Sequence, residues 1–447
     1  MHKVCVIGGG LAGSELAFQL SKNNIKVVLY EARLDKNYND GVHKTNDFAE
    51  LVCSNSLRSK DLHNAAGLLK QELRALGSLL IQKADEYSLP AGSALAVSRD
   101  DFSAAVTREL CSSQNIEVIS KNVSELKELL KEYDAVVIAA GPSASPELCE
   151  EVKSTLGEEY LYFYDAIAPL IDVNTVNMEI CFKASRYAEE GETGDYINAP
   201  MNKEEYYSFV EELKNAQKVP VQHGDKGIFF RGCMPVEVMA EDSPDHLLNG
   251  PMRGDGLIDP RTGRAPYAAI QLRQDNALGT VYNMVGFQTR LVYGEQERLF
   301  KKIPGFENVE FLRFGSMHRN IYVNAPHVLN ADMSLKACPG LFVAGQISGV
   351  EGYVESIAHG MFVARKLISK INGTALAELP GFTAIGSLCS YILKADKKGF
   401  QPMKINFGLL PPLSDDEKKL FLSKGPRSFQ TKLALSKRSL SFFEKLN

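Results

Sequence analysis

The chain has 447 residues, which is enough for two or three domains of ordinary size. Its composition is that of a globular protein, and its net charge of −5 excludes a general electrostatic attraction to nucleic acid, so any RNA would have to meet a local basic face. No run of about 20 apolar residues is present to span a bilayer, and the first residues begin a strand rather than a secretion signal. We therefore expect a cytoplasmic protein without a membrane segment, and we predict no stable protein partner.

The chain opens with a predicted strand, glycine turn, helix and second strand. KVCVI is followed by a Gly-x-Gly-x-x-Gly turn made by Gly8, Gly10 and Gly13, with Gly9 between the first two. The first glycine allows a tight turn, the second lets the backbone approach a pyrophosphate, and the third lets the helix pack on the strand. Glu31 ends the second strand, where a carboxylate accepts hydrogen bonds from ribose hydroxyls. The unit predicts a dinucleotide site.

Helices are predicted around residues 61–77 and 101–112, and YDAVVIAAG reads as a buried strand that ends in a turn at Gly141. From about 166 to 320 the pattern becomes rich in strands and turns, which indicates a second unit. We predict an α/β protein whose Rossmann-like FAD-binding domain comprises residues 1–165 and 321–447. A mixed α/β insertion domain occupies residues 166–320, and C-terminal helices follow the second part of the FAD-binding domain.

A second glycine signature, LFVAGQISGVEGY, follows an apolar strand near residue 341. In flavoproteins this late element points a helix N-terminus at the flavin ring, and an ordinary NAD dehydrogenase does not need it. The two signatures together favour FAD over NAD. The cofactor-binding candidates in this signature are Gly345, Gln346, Gly349, Gly352 and Tyr353.

The tail carries a cluster of basic residues: Lys424, Arg427, Lys432, Lys437 and Arg438. A basic terminal helix that meets a phosphate backbone would explain RNA binding by an acidic chain, and an ordinary surface helix is the alternative.

Eight cysteines are scattered along the chain without a Cys-x-x-Cys pair, which argues against zinc and against a disulfide framework. They are Cys5, Cys53, Cys111, Cys149, Cys181, Cys233, Cys338 and Cys389. By spacing alone, each of them is either a small buried apolar residue or a reactive thiol.

Long blocks of sequence resemble one family, the folate- and FAD-dependent tRNA (uracil-5-)-methyltransferases, which are relatives of the glucose-inhibited division protein A flavoproteins. The blocks include KTNDFAELVCSNSLRS, LPAGSALAVSRDDFS, GDYINAPM, RGCMPVEVMA, DPRTGRAPYAAIQLRQDNALGTVYNMVGFQT, MHRNIYVNAP, FVAGQISGVEGYVES and FQPMKINFGLLPP, in order along the whole chain. Two departures stand out. Ala199 occupies a position where the family usually has cysteine, and residues 33–43 do not follow the usual pattern.

The resemblance implies methylation of C5 of a uridine in tRNA, typically in the T-loop. Methylenetetrahydrofolate would be the carbon source, and FAD reduced by NAD(P)H would supply the reducing equivalents. Uracil C5 becomes nucleophilic only after a group adds to C6, and a thiolate suits that addition. A base must then remove the C5 proton. By resemblance Cys233, close to Arg231, is the nucleophile and Cys53 is the base beside the flavin, although the two roles remain exchangeable.

Four further residues are candidates for folate or RNA contact. His318 would stack on a pterin or flavin ring, and Arg273, Arg290 and Arg319 would meet phosphates or the folate glutamate. A structural histidine and solvated arginines are the alternatives. Three other functions stay open: the same chemistry on ribosomal RNA, a flavin-containing subunit of a tRNA-modifying complex, and an NAD(P)H oxidase. The pair of cysteines argues against the last two.

Overall fold

The structure, a computed structural model, describes residues 2–36, 38, 42–142, 144–156, 160–188, 194–219, 234–275, 279–373, 376–395, 397, 400, 402–422 and 427–446. The strands in chain order are β1 (Lys3–Ile7), β2 (Lys26–Glu31), β3 (Ser56–Ser59), β4 (Ser88–Leu89), β5 (Ala94–Val97), β6 (Ile116–Ser120), β7 (Ala135–Ile138), β8 (Tyr160–Ile167), β9 (Leu170–Asp172), β10 (Phe182–Lys183), β11 (Tyr196–Met201), β12 (Ala268–Gln274), β13 (Val281–Met284), β14 (Phe311–Arg313), β15 (Ser316–Val323), β16 (Ser334–Leu335) and β17 (Cys338–Val343).

The helices in chain order are α1 (Leu11–Lys22), α2 (Ala65–Ala75), α3 (Leu79–Glu86), α4 (Arg99–Ser112), α5 (Leu126–Glu132), α6 (Pro146–Leu156), α7 (Lys203–Asn215), α8 (Val236–Asp242), α9 (Pro244–Leu248), α10 (Tyr293–Phe300), α11 (Ala325–Val328), α12 (Tyr353–Asn372), α13 (Ala384–Lys394), α14 (Asp415–Phe421) and α15 (Arg427–Glu444). None of these helices, within the described residues, is both long and apolar enough to cross a bilayer.

The first sheet has the strand order β16-β17-β7-β1-β2-β6, and its central pairings are parallel. All of β7 and residues 4–7 of β1 are apolar and buried, as is typical of strands in a parallel sheet covered on both faces. The last residues of three neighbouring strands, Ile7, Ile138 and Val343, lie level with one another. Their carboxyl ends therefore form one edge, which is where ligands bind in open α/β sheets.

Helices α1 and α12 cross this edge in close contact. The contact depends on Gly360, because a Cβ at this position would lie 2.4 Å from the carbonyl oxygen of Ala12. The close approach brings the N-terminal ends of both helices to the carboxyl edge of the sheet.

The second sheet is antiparallel, with the order β10-β11-β12-β13-β9-β14. Alternation places Ile270 and Leu272 on a face that joins a core with helices α7, α8 and α10. The opposite face carries the buried polar residues Asn198, Gln271 and Arg273. Asn198 and Gln271 bond to each other, and Arg273 donates to Ser54 and Asn55 in the loop that carries Cys53.

Strands β8 and β15 form a separate antiparallel ribbon between the two sheets in chain order. The predicted domain boundaries after 165 and after 320 both fall within the ribbon, and the division into domains stays a prediction. In the tail, Arg438 is buried and hydrogen-bonds to the carbonyl oxygens of Pro411 and Pro412, whereas Lys432 and Lys437 are exposed. The predicted basic face therefore loses Arg438, and Lys424 lies outside the described residues.

Candidate functional site

A cleft with about 970 Å³ of space, part of it open to solvent, lies at the carboxyl edge of the first sheet. Most of the residues predicted to bind the cofactor line the cleft, namely Gly8, Gly10, Glu31, Gly141, Gly345, Gln346 and Tyr353. The structure thus brings the N-terminal and the late glycine signatures to one place.

The N-terminal glycine turn leaves room where a pyrophosphate would bind. A Cβ at Gly13 would lie 1.9 Å from the carbonyl oxygen of Gly8, whereas a Cβ at Gly10 would meet nothing within 4 Å. Helix α1 begins without a side-chain cap, so its first N–H groups face the cleft as anion donors. The open space beside these donors fits the phosphates of a dinucleotide.

Glu31 is buried at the end of β2, and its carboxylate accepts a hydrogen bond from the Gly9 N–H at 2.8 Å. It also accepts hydrogen bonds from the backbone and guanidinium groups of Arg33. Burial alone would raise the pKa of Glu31, but the charge and hydrogen bonds of Arg33 outweigh it and the pKa is lowered. The carboxylate is therefore ionised at neutral pH, as an acceptor for ribose hydroxyls must be.

The late glycine signature forms the opposite side of the cleft. Gly345, Gly349 and Gly352 have φ values of +77°, +94° and +121°, which side-chain-bearing residues rarely adopt. The Gly345 N–H donates to Nδ1 of His359, which is wholly buried, at 3.1 Å. Helix α12 then starts at Tyr353 without a side-chain cap, so a second uncapped helix N-terminus meets the cleft.

Cys53 lies beside this helix start and is half-buried. The Tyr353 hydroxyl donates to the Cys53 Sγ at 2.9 Å and accepts hydrogen bonds from the backbone N–H groups of Cys53 and Ser54 at 2.7 and 3.2 Å. Burial, and then the neighbouring thiol, raise the pKa of Tyr353 well above its usual value. The tyrosine is therefore neutral and donates its proton towards the sulfur.

Three arginines hold the loop that carries Cys53. Arg99 donates to the carbonyl oxygens of Leu51 and Val52 and pairs with Asp275 at 2.8 Å. This partner raises the pKa of Arg99 against the effect of burial.

The other two arginines come from the second sheet. Arg273 donates to Ser54 Oγ and Asn55 Oδ1, and Arg313 donates to the Val52 carbonyl oxygen. Burial lowers the pKa of Arg273 and lowers that of Arg313 to about 10, so both remain charged at neutral pH. The groups to which Arg273 and Arg313 donate are neutral, so both guanidinium groups bring positive charge to the loop that carries Cys53, opposed there by Asp275.

The remaining predicted residues are placed as follows. Cys233 and Arg231 lie outside the described residues. Both ends of the segment that contains them are anchored near Arg290, because Val219 N–H donates to the Arg290 carbonyl and Val236 N–H donates to the Gln288 carbonyl. Arg290 itself lies 3.7 Å from the buried Glu237. His318 and Arg319 belong to β15, and their side chains lie outside the described residues.

Sequence reasoning did not single out Arg99, Asp275, Arg313 or His359. Arg99 and Asp275 are 176 positions apart, and both stand in blocks that resemble the family. A charged residue directly after the apolar run ALAVS was the available signal for Arg99. His359 gave none, because a lone histidine in an apolar helix is unremarkable. In the described part of the chain, no group of three or more His, Cys, Asp or Glu residues is arranged to hold a metal ion.

Comparison with known proteins covers almost the whole chain. The family described as glucose inhibited division protein A matches residues 3–375. The chain is 50% identical over 411 residues to the methylenetetrahydrofolate–tRNA-(uracil-5-)-methyltransferase TrmFO of Natranaerobius thermophilus, which covers 92% of this chain and 93% of that protein. The protein of the same name from Bdellovibrio bacteriovorus is 49% identical over 424 residues, or 95% of each chain. The one from Bacillus pumilus is 47% identical over 437 residues, or 97% of this chain and 99% of that protein.

A solved structure of GidA from Aquifex aeolicus matches the fold with a TM-score of 0.70 at 15% identity. The match covers 99% of this chain and 73% of that chain. The likeness confirms the predicted α/β fold of glucose-inhibited division protein A type.

Proposed function

The chain belongs to the glucose inhibited division protein A family, and on that premise we propose that it is a folate- and FAD-dependent tRNA (uracil-5-)-methyltransferase. The observation that carries the proposal is the Cys53 thiol, hydrogen-bonded to Tyr353 at the mouth of a dinucleotide cleft. Together with Cys233 this thiol argues against a plain NAD(P)H oxidase, which does not need two such cysteines. The proposed target is a T-loop uridine of tRNA, and the proposed location of the protein is the cytoplasm.

The cleft residues fit FAD. Gly10 and the uncapped start of α1 would hold the pyrophosphate, Glu31 would bind the ribose, and the start of α12 at Tyr353 would face the flavin ring. Bound FAD, reduced by NAD(P)H, supplies the reducing equivalents that convert a methylene unit from methylenetetrahydrofolate into a methyl group. His318 and Arg319 remain candidates for contact with the folate or the RNA.

Two thiols would act on the uracil. Cys233 adds to C6, so a sulfur–carbon bond forms and C5 gains the electron density to bond the one-carbon unit. Cys53 removes the C5 proton, so that the bond between the one-carbon unit and tetrahydrofolate breaks and a methylene group remains on C5. When the reducing equivalents have converted this methylene into methyl, the C6–sulfur bond breaks, the Cys233 thiolate leaves and the C5–C6 double bond returns. The arginines around the Cys53 loop favour the thiolate that such a base requires. Tyr353 orients that sulfur through its hydroxyl.

The proposal is tested by incubating the yellow purified protein with methylenetetrahydrofolate labelled in its methylene group, NADPH and undermodified total RNA. Label is expected at C5 of a tRNA uridine, and the same RNA incubated with labelled S-adenosylmethionine should stay unlabelled. Label that maps to ribosomal RNA would show that the substrate is a ribosomal RNA uridine and not a tRNA uridine. Label that arrives from S-adenosylmethionine would overturn the chemistry.

The roles of the two thiols are separated with RNA that contains 5-fluorouridine, because fluorine at C5 cannot leave as a proton. The wild type and Cys53→Ala should form a covalent adduct with this RNA, and Cys233→Ala should not. Both variants should lose methylation. The opposite adduct pattern would show that the roles of the two cysteines are exchanged. Full methylation by either variant would show that the substituted cysteine has no part in the reaction.

A further inference from the structure

Tyr187 is an exposed aromatic residue in an unfavourable backbone conformation. It lies in the connection between β10 and β11, 69% of it is exposed, and its φ is +57°. A left-handed conformation is costly for a bulky residue, whereas glycine and asparagine adopt it readily. Such exposure returns little burial energy to the fold, so stability does not explain a tyrosine at this position.

The ring is fixed by its neighbours despite its exposure. The Tyr187 N–H donates to the Gly256 carbonyl oxygen at 2.8 Å, and a Cβ at Gly256 would lie 2.7 Å from the ring. The Arg253 guanidinium stands 5.5 Å from the ring centroid and also contacts the hydroxyl. A bare glycine beneath the ring and a cation beside it hold a flat aromatic surface open to solvent.

Two hydrogen bonds and a short stretch of β12 lead from this surface to the Cys53 loop. Arg186, next to Tyr187 in sequence, donates to Gln271 Oε1 at 3.0 Å. Gln271 and Arg273 share the polar face of β12, about 7 Å apart along the strand. Arg273 then donates to Ser54, the neighbour of Cys53. Through Arg186, β12 and Ser54, the ring and the thiol lie within about 30 Å of each other by the reach of these residues.

The surroundings of the ring are rich in arginine. Arg186 and Arg253 flank it, and Arg261 and Arg264 follow on the loop that contains Gly256. Asp255 lies 4.0 Å from Arg253 and Asp259 pairs with Arg261 at 2.7 Å, while Arg264 is exposed. A fixed aromatic ring among guanidinium groups is the combination that binds unpaired nucleotides, because the ring stacks on a base and the cations meet phosphates.

We propose that Tyr187 is a stacking platform for an unpaired base of the RNA substrate, held outside the reaction centre so that the target uridine reaches the Cys53 loop. The inference rests on the proposed function, because it assumes an RNA substrate. The pterin of folate is a small ligand that needs an enclosed cleft, whereas this ring is largely exposed, so the observations favour a macromolecule.

The test compares Tyr187→Asn with Tyr187→Phe in the full-length, flavin-loaded protein. Asparagine keeps the left-handed backbone and removes the ring, and phenylalanine keeps the ring. Binding is measured with undermodified tRNA. Tyr187→Asn should bind it about 5- to 150-fold more weakly, and Tyr187→Phe should bind within about twofold of the wild type.

Three further readouts separate stacking from other roles. The plot of log Kd against log salt should shift in parallel for Tyr187→Asn, because no charge is lost. The rate of flavin reduction by NADPH and the KM for folate should be unchanged, and the melting temperature should not fall. Unchanged RNA affinity in Tyr187→Asn, or a raised folate KM alone, overturns the proposal. If the wild type binds RNA but transfers no methyl group, the proposed function is wrong, and the stacking role of Tyr187 is then judged from the RNA affinities alone.

Discussion

The dinucleotide cleft and the Cys53 loop meet at Tyr353, but they are built in different ways. The cleft is a backbone structure, in which glycines and uncapped helix starts follow directly on three strands. The Cys53 loop is held by side chains from distant parts of the chain. Its partner Tyr353 lies 300 positions away, and the Arg273–Asn55 contact joins residues 218 positions apart.

Because the two regions are built differently, different kinds of substitution should disrupt them. A backbone site is disturbed by adding an atom where space is required, whereas a side-chain site is disturbed by removing a partner from a buried charge. The four predictions below separate these two kinds of damage.

The largest effect is expected in the Cys53 loop. Arg99→Met leaves the buried Asp275 without its partner, which should lower the free energy of unfolding by about 3–5 kcal/mol. Arg74→Met is the matched control, since it breaks the more exposed pair with Asp85 and should cost less than about 1 kcal/mol. Urea unfolding of the two variants measures both. Equal losses would show that the buried pair does not hold the loop.

An intermediate effect is expected from pH, and it shows that the cleft also depends on one side chain. Burial lowers the pKa of His359 from 6.5 to about 3, so the folded protein keeps the ring neutral while the unfolded chain protonates it below pH 6.5. The contribution of the neutral His359 ring to the free energy of unfolding is therefore fully present above pH 6.5. It is lost as the pH falls, at about 1.4 kcal/mol per pH unit. At pH 5 the loss should reach about 2 kcal/mol.

His359→Asn is the control for this pH effect, because its amide oxygen can accept the Gly345 N–H and does not titrate. Thermal unfolding of the wild type and the variant between pH 5 and 7.5 gives the two slopes. The variant should show the shallower slope. Identical slopes would mean that other groups control the acid sensitivity.

A smaller effect, confined to the cofactor, is expected for Gly10→Ala. No protein atom lies within 4 Å of the added Cβ, so unfolding of the flavin-free protein should be unchanged, while FAD should bind at least about tenfold more weakly. Flavin absorbance after dialysis measures this. Gly13→Ala should instead destabilise the flavin-free protein, because its Cβ would meet the Gly8 carbonyl oxygen at 1.9 Å. Full flavin occupancy in Gly10→Ala would place the pyrophosphate elsewhere.

The smallest effect is expected for Tyr353→Phe, which removes the hydroxyl that binds Cys53. The free energy of unfolding should fall by about 1 kcal/mol, and methylation should slow although flavin stays bound. Tyr133→Phe is the matched control, because its hydroxyl bonds to Tyr30 at 2.9 Å and does not contact Cys53. It should lose similar stability and keep its methylation rate. Equal methylation rates in Tyr353→Phe and Tyr133→Phe would show that Tyr353 does not orient the Cys53 sulfur.

The sequence alone determined the cleft, because its determinants are local. A strand, a glycine turn and a helix form a contiguous unit, so Gly8, Gly10, Glu31 and Gly345 were all found from spacing and now line one cleft. The identity of the family was also readable, because its long blocks keep their order along the chain. The boundaries of predicted helices differed by a few residues, as for α2, which begins at Ala65 rather than 61.

Only the tertiary structure decided what surrounds Cys53 and what the arginines do. Arg273 was predicted from the sequence as a contact for phosphate or folate, which stays a prediction, and only the fold shows that its guanidinium also donates to Ser54 and Asn55. Arg438, predicted to be part of a basic surface, packs inward against Pro411 and Pro412. A guanidinium group finds its partner through space, and contacts between residues more than a hundred positions apart leave no periodicity in one sequence. The conformation of a glycine turn depends on residues that are close in sequence. The neighbours of a buried charge are determined only when the two sheets pack together.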